Sequence, residues 1–309
     1  MSTRSKAIIA LIIASILWAS SGTTAKILFP IFDPIPLVML RLAVATAILL
    51  PIFFIRKHPP IRQLLVDAFP VSIATMGNFL LFTIGVSKTT ANASAVIYTI
   101  TPLLTLFLAK ATIQEHANSR KIIGIIIGLI GVITILLLPM LTHKQAFNGD
   151  FVGDLIIICA VISWTYYIVG SRKLTTEKHY DPLAITTVSI TISFIFMALF
   201  TLITPHRPIL PVILSGTHPY VLLYYGAAVT VATFFLHQWA IKHSSATTGA
   251  LTNYMQPVFA FVYNAMFVGE ILTSEFLFGS ILVLVGVFIA TSERATEYIR
   301  TFRARRQNG

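Results

Sequence analysis

The feature that most constrains this chain is a series of ten apolar runs, each long enough to cross a bilayer, joined by short polar connections. A helix crosses the hydrocarbon core with about 20 mostly apolar residues. The runs lie at approximately 7–29, 35–55, 64–87, 92–113, 121–141, 151–171, 182–204, 219–241, 246–268 and 274–292. Turn residues mark most connections, among them Asp33-Pro34, Pro59-Pro60, Asn148-Gly149 and Asp181-Pro182. The longest connection, 205–218, carries Pro205, Pro208 and Pro211, which argue against a helix there. Composition agrees. The chain is 56% hydrophobic and 11% charged, against about 25% charged in soluble domains. That excludes a soluble surface and a disordered chain alike. One cysteine, Cys159, rules out a disulfide framework.

No connection is long or polar enough to form a separate soluble domain, which favours a carrier or channel over a receptor or an anchored enzyme. The first run follows Arg4 and Lys6, as the core of a signal peptide would. It is longer than such a core, has no small-x-small motif after it, and its pattern recurs in the sixth run. It is therefore read as a helix of the mature protein.

The net charge of +11 would suggest nucleic acid on a soluble protein; here it reads as a topological signal. With the N-terminus in the cytoplasm, 17 of the 22 Lys and Arg fall on inner segments. Only Lys26, Lys88, Lys144 and Arg207 fall outside, and Arg41 lies within a span. This bias predicts cytoplasmic termini at both ends of a multi-pass protein of the inner or plasma membrane. The basic tail from Arg294 to Arg306 fits contact with anionic lipid headgroups and calls for no nucleic-acid partner.

The two halves repeat one another. At an offset of 155, Ala95, Pro102, Glu115, Gly124 and Gly131 meet Ala250, Pro257, Glu270, Gly279 and Gly286, and Phe79 and Leu81 meet Phe234 and Leu236. At an offset of 146, Trp18 meets Trp164 and Lys26 meets Arg172; at 148, Asp33-Pro34 meets Asp181-Pro182. The expected fold is an all-α membrane protein with ten transmembrane helices in two repeats, 1–145 and 146–309. Each repeat has an odd number of helices, so the second enters the membrane from the opposite side. Inverted repeats of this kind build carriers that alternate access around a midplane site.

This 5+5 arrangement resembles the drug/metabolite transporter superfamily, specifically its EamA-type exporters. The resemblance is carried by residues 17–28 (LWASSGTTAKIL), Arg41-Leu42, Ala93 to Ile135, Trp164 to Leu174 and Thr248 to Ala290. It implies a basket of spans one to four and six to nine around a central cavity, with spans five and ten to one side. It also implies export or exchange of a small metabolite, without choosing among amino acids, nucleosides, sugars and sugar phosphates. An arginine at position 41 fits the resemblance as architecture.

Candidate functional residues are the few polar and aromatic interruptions of the apolar spans. Pro102 and Pro257 fall near the middle of the fourth and ninth runs, where each frees the carbonyl four residues earlier and fits a hinge or gate. Ser94, Tyr98, Thr101 and Thr105 share one helical face, as do Asn253, Gln256 and the position at 260, with Asn264 beyond. Trp18, Ser21 and Ala25 match Trp164, Tyr167 and Ser171 in spacing. Asn78 and Phe82 on the third run, and Phe234, His237 and Gln238 on the eighth, complete the expected substrate-binding set. Each has a plainer reading as core packing or an interhelical hydrogen bond.

Arg41, about six residues into its span, has three readings: it snorkels outward, pairs with Asp33 or Asp154, or meets an anionic group of the substrate; a structural ion pair is the preferred one. No carboxylate falls near a span centre. His237 is thus the one intramembrane candidate for proton coupling, with a structural histidine as the simpler reading. A facilitator or exchanger fits at least as well as proton-driven export. Gly124 and Gly128 form a G-x-x-x-G with Gly131 beyond. Packing within the chain explains it, and a homodimer face is the alternative, so the protein is read as a monomer or homodimer.

No H-E-x-x-H, G-x-S-x-G or G-x-x-x-x-G-K-[ST] occurs, so neither an enzyme nor an ATP-driven pump is expected, and no metal or cofactor. The expectation is a secondary, alternating-access transporter exporting amino acids or related neutral or zwitterionic metabolites. A sugar-phosphate or nucleotide-sugar exchanger is the alternative, ahead of a membrane-embedded enzyme or a channel. The partners expected are a small-molecule substrate and the lipid bilayer.

Overall fold

The structure, a computed structural model, describes residues 3–56, 59–89, 94, 97–143, 151–209, 216–267 and 274–291. Among these residues the regular structure is entirely helical. The helices are α1 (Thr3–Ala19), α2 (Ser21–Leu28), α3 (Pro34–Ile55), α4 (Ile61–Lys88), α5 (Thr101–Ile113), α6 (Ser119–His143), α7 (Phe151–Thr176), α8 (Pro182–Ile203), α9 (His218–Gly226), α10 (Thr233–His243), α11 (Ala246–Ala250), α12 (Thr252–Phe267) and α13 (Ser274–Thr291). A π-helical turn, Ala227–Ala232, joins α9 to α10. Six continuous stretches of described residues are long and apolar enough to cross a membrane: Thr3–Ala25, Pro34–Ile55, Ile61–Lys88, Phe151–Thr176, Pro182–Ile203 and His218–His243.

The repeat shows in how helices begin. Asp33 and Asp181 both hold an extended backbone at the N-cap, each followed by a proline whose missing N–H costs nothing in a first turn. Asp181 also accepts a 2.7 Å hydrogen bond from the Leu183 N–H. Helix α5 ends on Gln114 in the left-handed region (φ 50°), and the loop before α8 bends at His179 (φ 57°). Few residues other than glycine adopt this conformation, histidine more readily than most. Each bend aims the next side chain: Glu115 toward α11, and Tyr180 onto Asp67, to which its hydroxyl donates at 2.6 Å.

Several expected runs are interrupted. The first breaks at Ser20, whose hydroxyl donates to the Leu17 carbonyl at 2.7 Å and bonds the Tyr224 hydroxyl at 2.8 Å. The ninth breaks at Leu251 between α11 and α12. The mid-helix position expected for Pro102 is corrected. A turn at Thr99–Ile100 precedes α5, and Pro102 sits in its first turn, where it removes no ladder bond. Pro257 does lie inside α12. Asn148, Gly149, Lys144, Glu270, Ala93 and the tail from Arg294 lie outside the described residues, as do the side chains of Lys26 and Asn264.

The halves interlock. Helix α4 packs on α7 and α8, α3 on α8, and α1 on α10 and α12, so first-half helices lie largely on second-half partners. The main core runs between them and includes Leu28, Leu42, Leu49, Leu64, Ile168 and Ile190, all fully buried. Helices α6 and α13 form their own pair. A Cβ on Gly124 would stand 2.5 Å from the Gly286 carbonyl oxygen, and one on Gly131 would stand 2.7 Å from that of Gly279. Glycines on both helices therefore let the two backbones touch. Gly128 faces the ring of Tyr254 in the same way. The outer faces are as apolar as the core: Leu202, Phe107, Phe288 and Ile13 are exposed. Such a continuous apolar exterior suits lipid, not water.

Candidate functional site

Five aromatic side chains and a histidine converge where α1, α4, α7 and α10 meet. Trp18 meets Trp164 edge-on at 5.3 Å, and also contacts Phe234 at 5.7 Å. Trp164 stacks on Tyr167 at 5.1 Å, and Phe234 stacks on Phe79 at 5.2 Å. His237 lies between the two indoles, 5.0 Å from Trp18 and 5.3 Å from Trp164. These separations are those of favourable aromatic pairs. The cluster draws equivalent positions of both repeats together: Trp18 with Trp164, and Phe79 with Phe234.

Under this cage lie buried polar atoms without hydrogen-bond partners. His237 Nε2 donates to the Gly249 carbonyl at 3.2 Å, which fixes the proton there, and Nδ1 is left unpaired. Both amide atoms of the fully buried Gln238 are unpaired. The Tyr167 hydroxyl faces Gln238 and Thr186, but neither it nor Thr186 Oγ1 closes a hydrogen bond. Buried polar atoms are nearly always paired, so a group of unpaired ones calls for an explanation. Gly249 makes the fold of this region feasible: a Cβ there would stand 2.5 Å from Ile241 Cγ1.

A second, adjacent group contains Asn78, Phe82 and Tyr98. The Asn78 amide donates to the Tyr98 hydroxyl at 2.6 Å and to the Ala160 carbonyl at 3.1 Å, and Phe82 meets Tyr98 edge-on at 5.6 Å. Thr101 and Thr105 are fully buried, with unpaired hydroxyls. Ser21 shares a 3.3 Å hydrogen bond with the Tyr225 hydroxyl. On α12, Asn253 turns back to donate to the Ala250 carbonyl at 2.9 Å, which serves the break at Leu251. Gln256 is half-buried beside Pro257. Ala25 and Ser171 belong to the core, and Ser94 is buried.

The ion pair expected for Arg41 is corrected. Arg41 is 4% exposed, and its Nε donates to Thr230 Oγ1 at 2.5 Å while Nη2 donates to the Val229 carbonyl at 3.1 Å. Its guanidinium lies over the rings of Tyr225 at 4.1 Å and Phe79 at 4.8 Å. The expected partners are engaged elsewhere. Asp33 pairs with Arg207 at 3.5 Å, and Asp154 accepts from the Thr89 hydroxyl at 2.6 Å. The π-helical turn makes the arrangement: Thr230 Oγ1 donates to the Tyr225 carbonyl five residues back, while the Val229 carbonyl takes the guanidinium. Nothing in the sequence AAVTVA signals it. Tyr225, Val229 and Thr230 were not among the expected site residues.

At the expected cytoplasmic end, Glu115 ties the halves together. It accepts from the Ala246 N–H at 2.9 Å, the Thr247 N–H at 3.2 Å and the Thr247 hydroxyl at 2.7 Å, and lies 3.5 Å from the Lys121 ammonium. Burial works to raise its pKa. The Thr247 hydrogen bond, the Lys121 charge and the two N–H groups outweigh it, so the carboxyl is held below its usual range. Arg172 closes the same corner, donating to the carbonyls of Ile241, Lys242 and Ser244 at the end of α10.

Comparison with known proteins accords with this geometry. The sequence pattern described as the EamA-like transporter family matches residues 5–137 and again 151–292. An uncharacterized transporter of Clostridium kluyveri is 23% identical over 92% of each chain. The uncharacterized transporter YetK of Bacillus subtilis is 25% identical over 82% of this chain and 77% of its own. The WAT1-related protein At3g28100 of Arabidopsis thaliana is 20% identical over 82% of this chain and 80% of its own. A solved crystal structure shares the fold, with a TM-score of 0.74 over 93% of this chain and 96% of that one at 16% identity. With its repeated helical units and apolar exterior, the chain is a multi-pass membrane protein that belongs to the EamA-like transporter family.

Proposed function

We propose that the chain is a secondary, alternating-access transporter that exports amino acids or related small neutral or zwitterionic metabolites. It would do so through ten membrane crossings in two inverted units, with both termini in the cytoplasm. The observation that carries the cargo class is the aromatic cage over unpaired neutral donors and acceptors on Gln238, Tyr167, Thr186 and His237. Such a lining offers apolar surface and a few oriented hydrogen bonds, and so suits a small neutral or zwitterionic solute. A phosphate ester wants several convergent cations. Arg172 and Lys121 are committed instead to carbonyls and to Glu115. Pro257, inside α12, is the proposed hinge, since it frees the Asn253 carbonyl.

The test is counterflow into liposomes of the purified protein, with amino acids, amines, nucleosides and phosphate esters, with and without a pH gradient. Amino-acid counterflow is expected. Phosphate-ester counterflow with no amino-acid flux would overturn the cargo assignment. Flux that does not saturate would overturn the carrier mechanism.

A further inference from the structure

We propose that Arg41 is the receptor for a carboxylate group of the transported solute. The inference rests on reading the aromatic cluster as the solute site, and it adds an anionic group to the solute's required chemistry.

A cation removed from water is costly unless a counter-charge meets it. Three other cations among the described residues show how compensation is supplied. Lys121 has Glu115, Arg207 has Asp33, and Arg172 has three carbonyls at a helix C-terminus, where the dipole favours a cation. Arg41 differs from these three. It is more deeply buried than Lys121 or Arg207, and among the described residues no carboxylate lies within ion-pair distance of it. The Thr230 hydroxyl, the Val229 carbonyl, the Tyr225 side chain and the Phe79 ring face hold it, all neutral groups. They are enough to keep the side chain in place and too few to neutralise it. The missing component is a single negative charge.

Its position says where that charge would come from. The guanidinium lies over Phe79, Phe79 stacks on Phe234, and Phe234 meets Trp18. Arg41 thus lies directly against one wall of the cage, Phe79. A solute with its carboxylate on Arg41 could lay an apolar body against Phe79 and Phe234. The planar fork of arginine matches a carboxylate in two parallel hydrogen bonds, which an ammonium cannot do. Its present neutral partners sit on the π-helical turn, a feature concentrated at functional sites. Thr230 and Val229 hold the place that the solute carboxylate takes over.

The test uses four probes of one shape with the intact purified protein: leucine, 4-methylpentanoate (carboxylate without amine), leucinamide and isopentylamine (amine without carboxylate). Binding is read by quenching of tryptophan fluorescence and by thermal shift. Leucine and 4-methylpentanoate are expected to bind at least about tenfold more tightly than the other two, the scale of a charge-assisted hydrogen bond. Arg41→Gln is expected to abolish that preference, and Arg41→Lys to restore it only in part. Because Arg41→Gln risks misfolding, the four-probe series on the wild-type protein stands as a test by itself. Equal binding of leucine and leucinamide, preference for the amines, or no carboxylate binding at all would overturn the inference. Arg41-dependent binding of 4-methylpentanoate without leucine would sink the amino-acid cargo and leave the receptor standing.

Discussion

Glu115 accepts a 2.7 Å hydrogen bond from the hydroxyl of Thr247, a residue 132 positions further along the chain. The same carboxylate caps the N–H groups of Ala246 and Thr247, so one side chain of the first repeat fixes the start of a helix in the second. Glu115→Gln keeps the shape and loses the charge. It is expected to cost about 1–3 kcal/mol at neutral pH, read as a lower Tm in detergent. The carboxyl is held below its usual range in the folded protein, so the charge stabilises above the unfolded carboxyl's pKa. That contribution is lost as pH falls through the lowered folded value. The gap between wild type and variant should therefore close in acid; a gap that stays constant with pH would count against the cap.

Gly286 and Gly22 are expected to respond in opposite ways. A Cβ on Gly286 would stand 2.5 Å from the Gly128 nitrogen, with no flexible atom to yield, whereas one on Gly22 would meet nothing within 4 Å. Gly286→Val should lower stability by about 1–3 kcal/mol and broaden the size-exclusion profile. Gly22→Ala should leave the Tm unchanged or raise it slightly, by up to about 1 kcal/mol of helix preference. Equal Tm values for the two variants would refute the α6–α13 backbone contact.

Trp164 is a wall of the proposed solute site, and Trp239 packs beside His243 outside it. Trp164→Leu is expected to reduce amino-acid counterflow about tenfold, the order of one lost aromatic contact. Trp239→Leu should stay within about twofold of wild type. Similar losses from both would point to general damage and not to a site.

Pro257→Ala restores a helical N–H within α12, and Gln256→Ala removes its half-buried polar neighbour. Both are expected to lower flux several-fold with normal amounts of protein in the membrane, measured by counterflow against quantified reconstitution. Unchanged flux in both would remove α12 from the mechanism.

Much of this was legible in the sequence because it rests on local signals. Apolar runs and Asp-Pro pairs mark where helices begin, and the repeat singles out Trp18 with Trp164 and Phe79 with Phe234, which the fold brings together. What was missed depends on distant contacts. The π-helical turn lies in a stretch of alanine, valine and threonine with no glycine or proline to mark it. Its bonding partner, Arg41, comes from 189 residues earlier. An ion pair was expected for Arg41 because charge invites a search for opposite charge. Ring faces and a displaced carbonyl leave no such mark in a sequence. Pro102 was placed mid-helix because an apolar run does not reveal the turn at Thr99–Ile100.

The glycine seam between α6 and α13 also bears on how the protein is made. The stripe formed by Gly124 and Gly131 is covered by Gly279, Val283 and Gly286, from the last described helix. Synthesis proceeds from the N-terminus, so the first repeat emerges with a strip of bare backbone facing lipid. That strip stays open until α13 has been made. The first repeat is therefore not a finished unit to which a second is added: α6 has its glycine face covered only when α13, a helix of the second repeat, packs onto it.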